Sequence, residues 1–155
     1  MKEIKLTKEK VTIVDDCDYQ RLSKFKWQAR QNQSGIWYAS RQSKGKTFRM
    51  HRFLLNIPIG FQPDHINGDG LDNRQCNLRI ATRSQNNANC RVYKNSPSGF
   101  KGIQWYSKKK KWRAQISKEY KRYSLGYFHN LTDACQAYNE EAKILFGNYA
   151  KLNEI

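Results

Sequence analysis

Asp64 and His65 stand side by side, and Asn77 and Asn86 follow at intervals that can return two amides to the same place. An acid, a base and two amide oxygens are the parts needed to gather one divalent cation and one activated water. Breaking a phosphodiester requires a water deprotonated near neutral pH, and histidine, with an ordinary pKa of about 6.5, is the side chain suited to take that proton. The ring must be neutral and carry its one proton on the correct nitrogen. An oxygen accepting from that nitrogen selects the tautomer, and Asn77 is the candidate for the task. The phosphate and the leaving 3′ oxygen carry negative charge that needs an offset. A hard cation held by the Asp64 carboxylate and the Asn86 amide would supply it, and an all-oxygen ligand set favours Mg²⁺ or Mn²⁺ over Zn²⁺.

These residues need elements to position them. The stretch PDHINGDGLDNRQCNLRIATRSQNNAN, residues 63–89, carries Asn67-Gly68 and Asp69-Gly70 turn signals between short apolar stretches, which predicts a hairpin-like loop. Thr82 and Gln85 have the spacing of a capping box and predict a short helix from near residue 83. Two strands and a helix would bring Asp64, His65 and Asn86 together, with Asn77 on the second strand. Taken singly, each feature is ordinary: an Asp-His pair in a polar loop is usually solvated, and Asn-Gly-Asp-Gly is common turn chemistry. Their conjunction is the signal. Arg74, Arg79 and Arg83 lie close by in sequence and are candidate phosphate clamps. His51-Arg52-Phe53-Leu54-Leu55 predicts a short helix ending before Pro58, with His51 read first as a packed structural histidine and second as a neighbour of the site.

DHINGDGLDNRQCNLR followed by RSQNNAN resembles the HNH endonucleases, in particular the phage and intron-encoded homing type with a ββα-metal site. The resemblance covers roughly residues 49–90. It implies His65 as general base, Asn77 as the residue orienting it, and Asp64 with Asn86 (or its neighbour Asn87) as metal ligands.

Composition agrees with a polyanionic partner. The chain of 155 residues carries 29 Lys and Arg against 13 Asp and Glu, a formal net charge of +16. No apolar run is long enough to span a bilayer and no secretory leader is evident, so a membrane partner and secretion are not expected. Cys17, Cys76, Cys90 and Cys135 are scattered without a Cys-x-x-Cys pair, which argues against a structural zinc site. Residues 1–50 look β-rich: Val11–Val14 reads as a strand, and 35–41 and 46–50 flank a Ser-Lys-Gly-Lys turn, with Trp27, Trp37, Tyr38 and Phe48 read as core. A linker is expected at 93–97.

A second module follows. Residues 101–106, 111–117 and 121–128 read as three strands, and 101–122 holds nine Lys or Arg and one acid, Glu119, interleaved with aromatic residues. Thr132 can cap a helix running to about Phe146, with Ala134, Ala137, Tyr138, Ala142 and Leu145 on one face. SGFKGIQW, KWRAQI, LGYF, ACQAYNEEA and GNYAKLN resemble the DNA-binding domain of plant ethylene-response factors, over nearly all of 98–153. The resemblance implies a three-stranded sheet that reads the major groove. It puts Lys101, Gln104, Tyr106, Gln115, Ser117, Arg122 and Ser124 at groove-facing positions, with Arg113 a further DNA-binding candidate.

The expected fold is α+β: an HNH domain over 1–92, made of a β-rich part (1–50) and a ββα-metal motif (51–92), then a small three-stranded antiparallel sheet packed on one helix (98–155). The expected function is a metal-dependent DNA endonuclease of homing type that nicks double-stranded DNA. It would act as a monomer or weak dimer in a cytoplasm, with no small-molecule cofactor. The alternative is a non-catalytic, sequence-specific DNA-binding regulator with a decayed nuclease module. That alternative accounts for the charge and the C-terminal module, but not for Asp64, His65, Asn77 and Asn86 occurring together.

Overall fold

The first hairpin turns Ile4, Thr12 and Val14 inward: β1 (Lys2–Lys5) pairs antiparallel with β2 (Val11–Val14), Lys2 opposite Val14. The computed structural model describes residues 1–92 and 96–155, which divide into two units, 1–83 and 84–155. Of the linker expected at 93–97, residues 93–95 lie outside the described residues.

In the first unit, α1 (Asp16–Ser23) carries Asp16 and Asp18 in its first turn and Arg21 in its last, charges that suit the helix dipole, and buries Leu22. A three-stranded antiparallel sheet follows, β3 (Gln28–Gln31), β4 (Trp37–Ser43) and β5 (Lys46–Arg49), in that order. Lys44 and Gly45 close its second hairpin, both at positive φ (48° and 71°), as a two-residue turn between right-twisted strands requires. The short helix α2 (Met50–Leu54) comes next, and β6 (Gln62–His65) pairs antiparallel with β7 (Leu78–Ala81). Ile4, Val14, Leu22, Trp27, Ala39 and Met50 form the core of this unit.

Phe48 departs from the expected core. It is 40 % exposed on the outer strand β5, with the Arg41 guanidinium 5.2 Å from its ring. The helix α1 interrupts the expected β-rich stretch 1–50.

The second unit holds α3 (Arg83–Asn89) but for its first residue. Then come β8 (Ile103–Tyr106), β9 (Lys111–Lys118), β10 (Lys121–Phe128) and α4 (Leu131–Phe146). The sheet order is β10-β9-β8, antiparallel throughout. Ala134, Cys135 and Ala142 on α4 are small and fully buried, which lets the helix lie close to Ile103, Ala114 and Ile116 of the sheet. The first strand starts at Ile103 rather than residue 101, because Gly102 turns the chain at φ +74°. A Cβ there would fall 2.4 Å from the Gln115 carbonyl and the Tyr138 ring. The cap of α4 is Asn130, in extended conformation, not Thr132. Among the described residues no helix is long and apolar enough to cross a membrane.

Candidate active site

Asp64 and His65 end β6, and both are buried, 5 % and 6 % exposed. Antiparallel register sets Asp64 opposite Arg79 and His65 opposite Leu78. Arg79 Nε donates to Asp64 Oδ2 at 2.8 Å, a cross-strand ion pair that offsets the cost of burying a carboxylate.

His65 stands against a wall of rings. The His51 ring centroid is 5.0 Å away and that of Tyr38 5.9 Å, and Tyr38 meets His51 edge-on at 5.6 Å. Burial pushes His51 down to about 3, and repulsion from His65, Arg49 and Arg52 adds to it. Burial also holds His65 below its ordinary value. A hydrogen bond to Asn73 and the carboxylates of Asp64, Asp69 and Asp72 pull the other way. Both rings are therefore neutral at neutral pH.

The connection between β6 and β7 is built by short polar side chains. Asn67 Oδ1 accepts from Asp69 N (2.8 Å) and Asp69 Oδ1 from Leu71 N (3.0 Å). Asp72 takes a two-pronged contact from Arg74, Nε to Oδ1 at 2.8 Å and a terminal nitrogen to Oδ2 at 2.7 Å, which holds its carboxyl below the usual range. At Gly70 a Cβ would meet the Trp37 carbonyl at 2.4 Å and the Tyr38 ring at 2.6 Å, so only glycine lets the loop reach the ring wall.

Asn77, expected on the second strand beside the His65 ring, lies instead in a 3₁₀ turn (Gln75–Asn77) just before β7. Its Oδ1 accepts from Asn67 N (3.0 Å), and its Nδ2 donates to Asn67 Oδ1 (3.0 Å) and the Asp72 carbonyl (2.8 Å). Its own carbonyl accepts from Ile66 N at 2.9 Å. Asn77 thus ties down the turn that follows His65. The amide facing the ring is that of Asn73, whose Oδ1 lies 3.4 Å from His65 Nε2. The sequence reading missed Asn73; its one local sign is a second amide beside Asp72 in an already polar loop.

The arginines divide. Arg79 is bound to Asp64, Arg74 grips Asp72, and Arg83 is exposed at the start of α3. Asn86 is half-buried on α3 with its carbonyl accepting from Cys90 Sγ, and Asn87 is exposed.

In the second unit, strand alternation puts Gln104, Tyr106, Arg113, Gln115 and Arg122 on the face opposite the buried Ile103, Ala114 and Ile116. Register pairs Gln104 with Arg113, Gln115 with Ser124 and Ser117 with Arg122. A terminal nitrogen of Arg113 donates to Gln104 Oε1 at 2.8 Å, and the Arg113 guanidinium lies 5.8 Å from the Tyr106 ring. Lys101 leaves this face. Its ammonium donates to the carbonyls of Asn87 (3.2 Å), Ala88 and Cys90 (3.0 Å), clamping the C-terminal end of α3, and burial pulls its pKa to about 8.

Comparison with known proteins adds a family. The HNH endonuclease family model matches residues 56–88. An uncharacterized HNH endonuclease of Acanthamoeba polyphaga mimivirus is 32 % identical over 140 residues, 86 % of this chain and 70 % of that protein. Protein 3.8 of Escherichia phage T7 is 35 % identical over 68 residues, 44 % of this chain and 56 % of the phage protein, so the match spans little more than half of that relative. No solved structure matches. A family match over residues 56–88, a stretch that includes Asp64 and His65, together with a relative aligned over most of both chains, establishes that this chain belongs to the HNH endonuclease family.

Proposed function

We propose that this chain is a metal-dependent DNA endonuclease that hydrolyses phosphodiester bonds one strand at a time, with His65 as general base. The observation that carries this reading is a buried His65 next to Asp64, braced by the His51 and Tyr38 rings and the Asn73 amide. His65 takes a proton from water. The resulting hydroxide attacks phosphorus, the bond to the 3′ oxygen breaks, and that oxygen leaves with a proton drawn from solvent. Asn77 fixes the backbone turn that carries His65.

A divalent cation is implied by the family. The hard oxygens of Asp64 and Asn86 are the ones that would hold it, and its charge would join that of Arg79 in offsetting the buried Asp64 carboxylate. Among the described residues no group of three or more His, Cys, Asp and Glu side chains is placed to hold a metal. When bound, Mg²⁺ or Mn²⁺ would offset the charge developing on the phosphate and the leaving oxygen.

The second unit, on this reading, binds double-stranded DNA. Its three-stranded sheet backed by α4 and its polar row of Gln104, Tyr106, Arg113, Gln115 and Arg122 support a major-groove role like that of the plant ethylene-response-factor domain. The test is cleavage of supercoiled plasmid, and of the DNA flanking the protein's own gene, in Mg²⁺, Mn²⁺ or EDTA. Nicking should require the metal, and His65→Ala should bind DNA normally while turnover falls by a factor on the order of 10²–10⁴. Equal cleavage by His65→Ala would remove His65 from the mechanism. Binding without cleavage on either DNA would favour the regulator.

A further inference from the structure

The hydrogen-bond chain behind His65 has only one consistent direction. It begins at the Leu71 carbonyl, which can only accept. Thr12 Oγ1 lies 2.6 Å from that oxygen, so the hydroxyl hydrogen points there; the Met50 sulfur at 3.9 Å is a far weaker acceptor. With its hydrogen committed, Thr12 Oγ1 presents a lone pair to Asn73, 2.8 Å away, and the Asn73 atom facing it must be the NH₂ nitrogen. The Gly70 carbonyl, 3.5 Å from the same nitrogen, demands the same assignment. The amide oxygen of Asn73 therefore faces His65 Nε2. An amide oxygen only accepts, so a hydrogen bond across that 3.4 Å requires the ring proton on Nε2.

We infer that Asn73, held by Thr12, is the positioning residue that keeps His65 in its Nε2-protonated tautomer and makes Nδ1 the atom that takes the proton from water. Neither member of the relay can readily turn. Thr12 has no exposed surface and Asn73 has 1 %. The backbone is locked with them: Ile13 N donates to the Leu71 carbonyl at 2.9 Å and Asn73 N to the Ile13 carbonyl at 2.8 Å, a short parallel bridge that zips the loop onto β2. Gln75 adds a second anchor, its N–H on Asp15 Oδ2 (2.6 Å) and its Nε2 on Asp18 Oδ2 (2.9 Å). The assignment of Nδ1 to proton transfer rests on the nuclease reading; the tautomer does not.

The experiment reads the tautomer directly. Long-range ¹H–¹⁵N correlation spectra of the histidine-labelled full chain, with the His65 signals identified by their loss in His65→Gln, should show the Nε2–H form. Thr12→Val removes the relay while leaving the site apolar and filled. It should mix the two tautomers and lower plasmid-nicking turnover roughly 10- to 100-fold with KM little changed, the usual loss when a partner one step behind a working side chain is removed. Thr12→Ser restores the hydroxyl and should restore both readouts. An Nδ1–H signal in the wild-type chain would overturn the inference without any variant. So would Thr12→Val with an unchanged His65 spectrum and unchanged turnover. A wild-type chain with the Nε2–H tautomer and no nicking anywhere would leave the relay standing and sink the nuclease reading alone.

Discussion

Acid should unfold the first unit, and His51 should account for a measurable share of that sensitivity. In an unfolded chain His51 takes its proton near pH 6.5; in the folded unit it does so only at about 3. Between those values the unfolded state binds a proton that the native state does not, so stability is fully present above pH 6.5 and falls as pH falls. Well inside that window each pH unit is worth a little over about 1 kcal/mol, so lowering pH from 6.5 to 4.5 should remove about 2 kcal/mol through this one ring. Domain stabilities of roughly 5–15 kcal/mol make that a large fraction. The cause is local: the ring is 4 % exposed, packed on Tyr38 and His65, with Arg49 and Arg52 opposing its charge. His51→Phe keeps an aromatic edge in place and removes the titration. Urea unfolding followed by the fluorescence of buried Trp27 at pH 7 and 4.5 measures the difference between wild type and variant. The wild-type chain should lose about 2–3 kcal/mol more than His51→Phe over that interval. Parallel losses in the two proteins would refute the assignment of buried neutral charge to His51.

Other consequences concern stability and DNA contact. Arg79→Met takes the cross-strand cation from the buried Asp64 carboxylate and should destabilise the first unit by about 3–5 kcal/mol in urea titrations, more than any surface charge change would. Gly102→Ala drives a methyl group into the Gln115 carbonyl and the Tyr138 ring at a positive φ; thermal unfolding should show the second unit losing its cooperative transition or several kcal/mol or more of stability. Arg122→Ala should reduce the slope of log K against log salt by about one if it meets a phosphate. Lys101→Met, whose ammonium serves α3, should leave that slope unchanged while lowering the melting temperature.

What the sequence could reveal was local chemistry. The Asn-Gly and Asp-Gly turns predict the hairpin of β6 and β7 because turn geometry is decided within four residues, and the alternation at 103–128 predicts the three-stranded sheet for the same reason. The amide on His65 was out of reach. Asn67, Asn73 and Asn77 are alike to a reader of the chain, and Asn73 is chosen by pairing with a strand about sixty residues earlier. Lys101 misleads for a related reason: the resemblance puts it at a groove-facing strand position, but the chain turns at Gly102 with positive φ and the Lys101 ammonium folds back onto α3. Phe48 is aromatic in an apolar-looking strand, yet β5 is an edge and the ring stays wet.

The seam between β2 and the loop of Leu71–Asn73 separates motif from machine. The stretch by which the family is recognised, 56–88, holds Asp64, His65 and the amides, while the hydroxyl bonded to Asn73 belongs to residue 12. A graft of 56–88 onto another scaffold would copy every letter of the site and leave its histidine free to choose either tautomer. The hairpin at the start of the chain is in this sense a safety catch on the chemistry encoded in the middle.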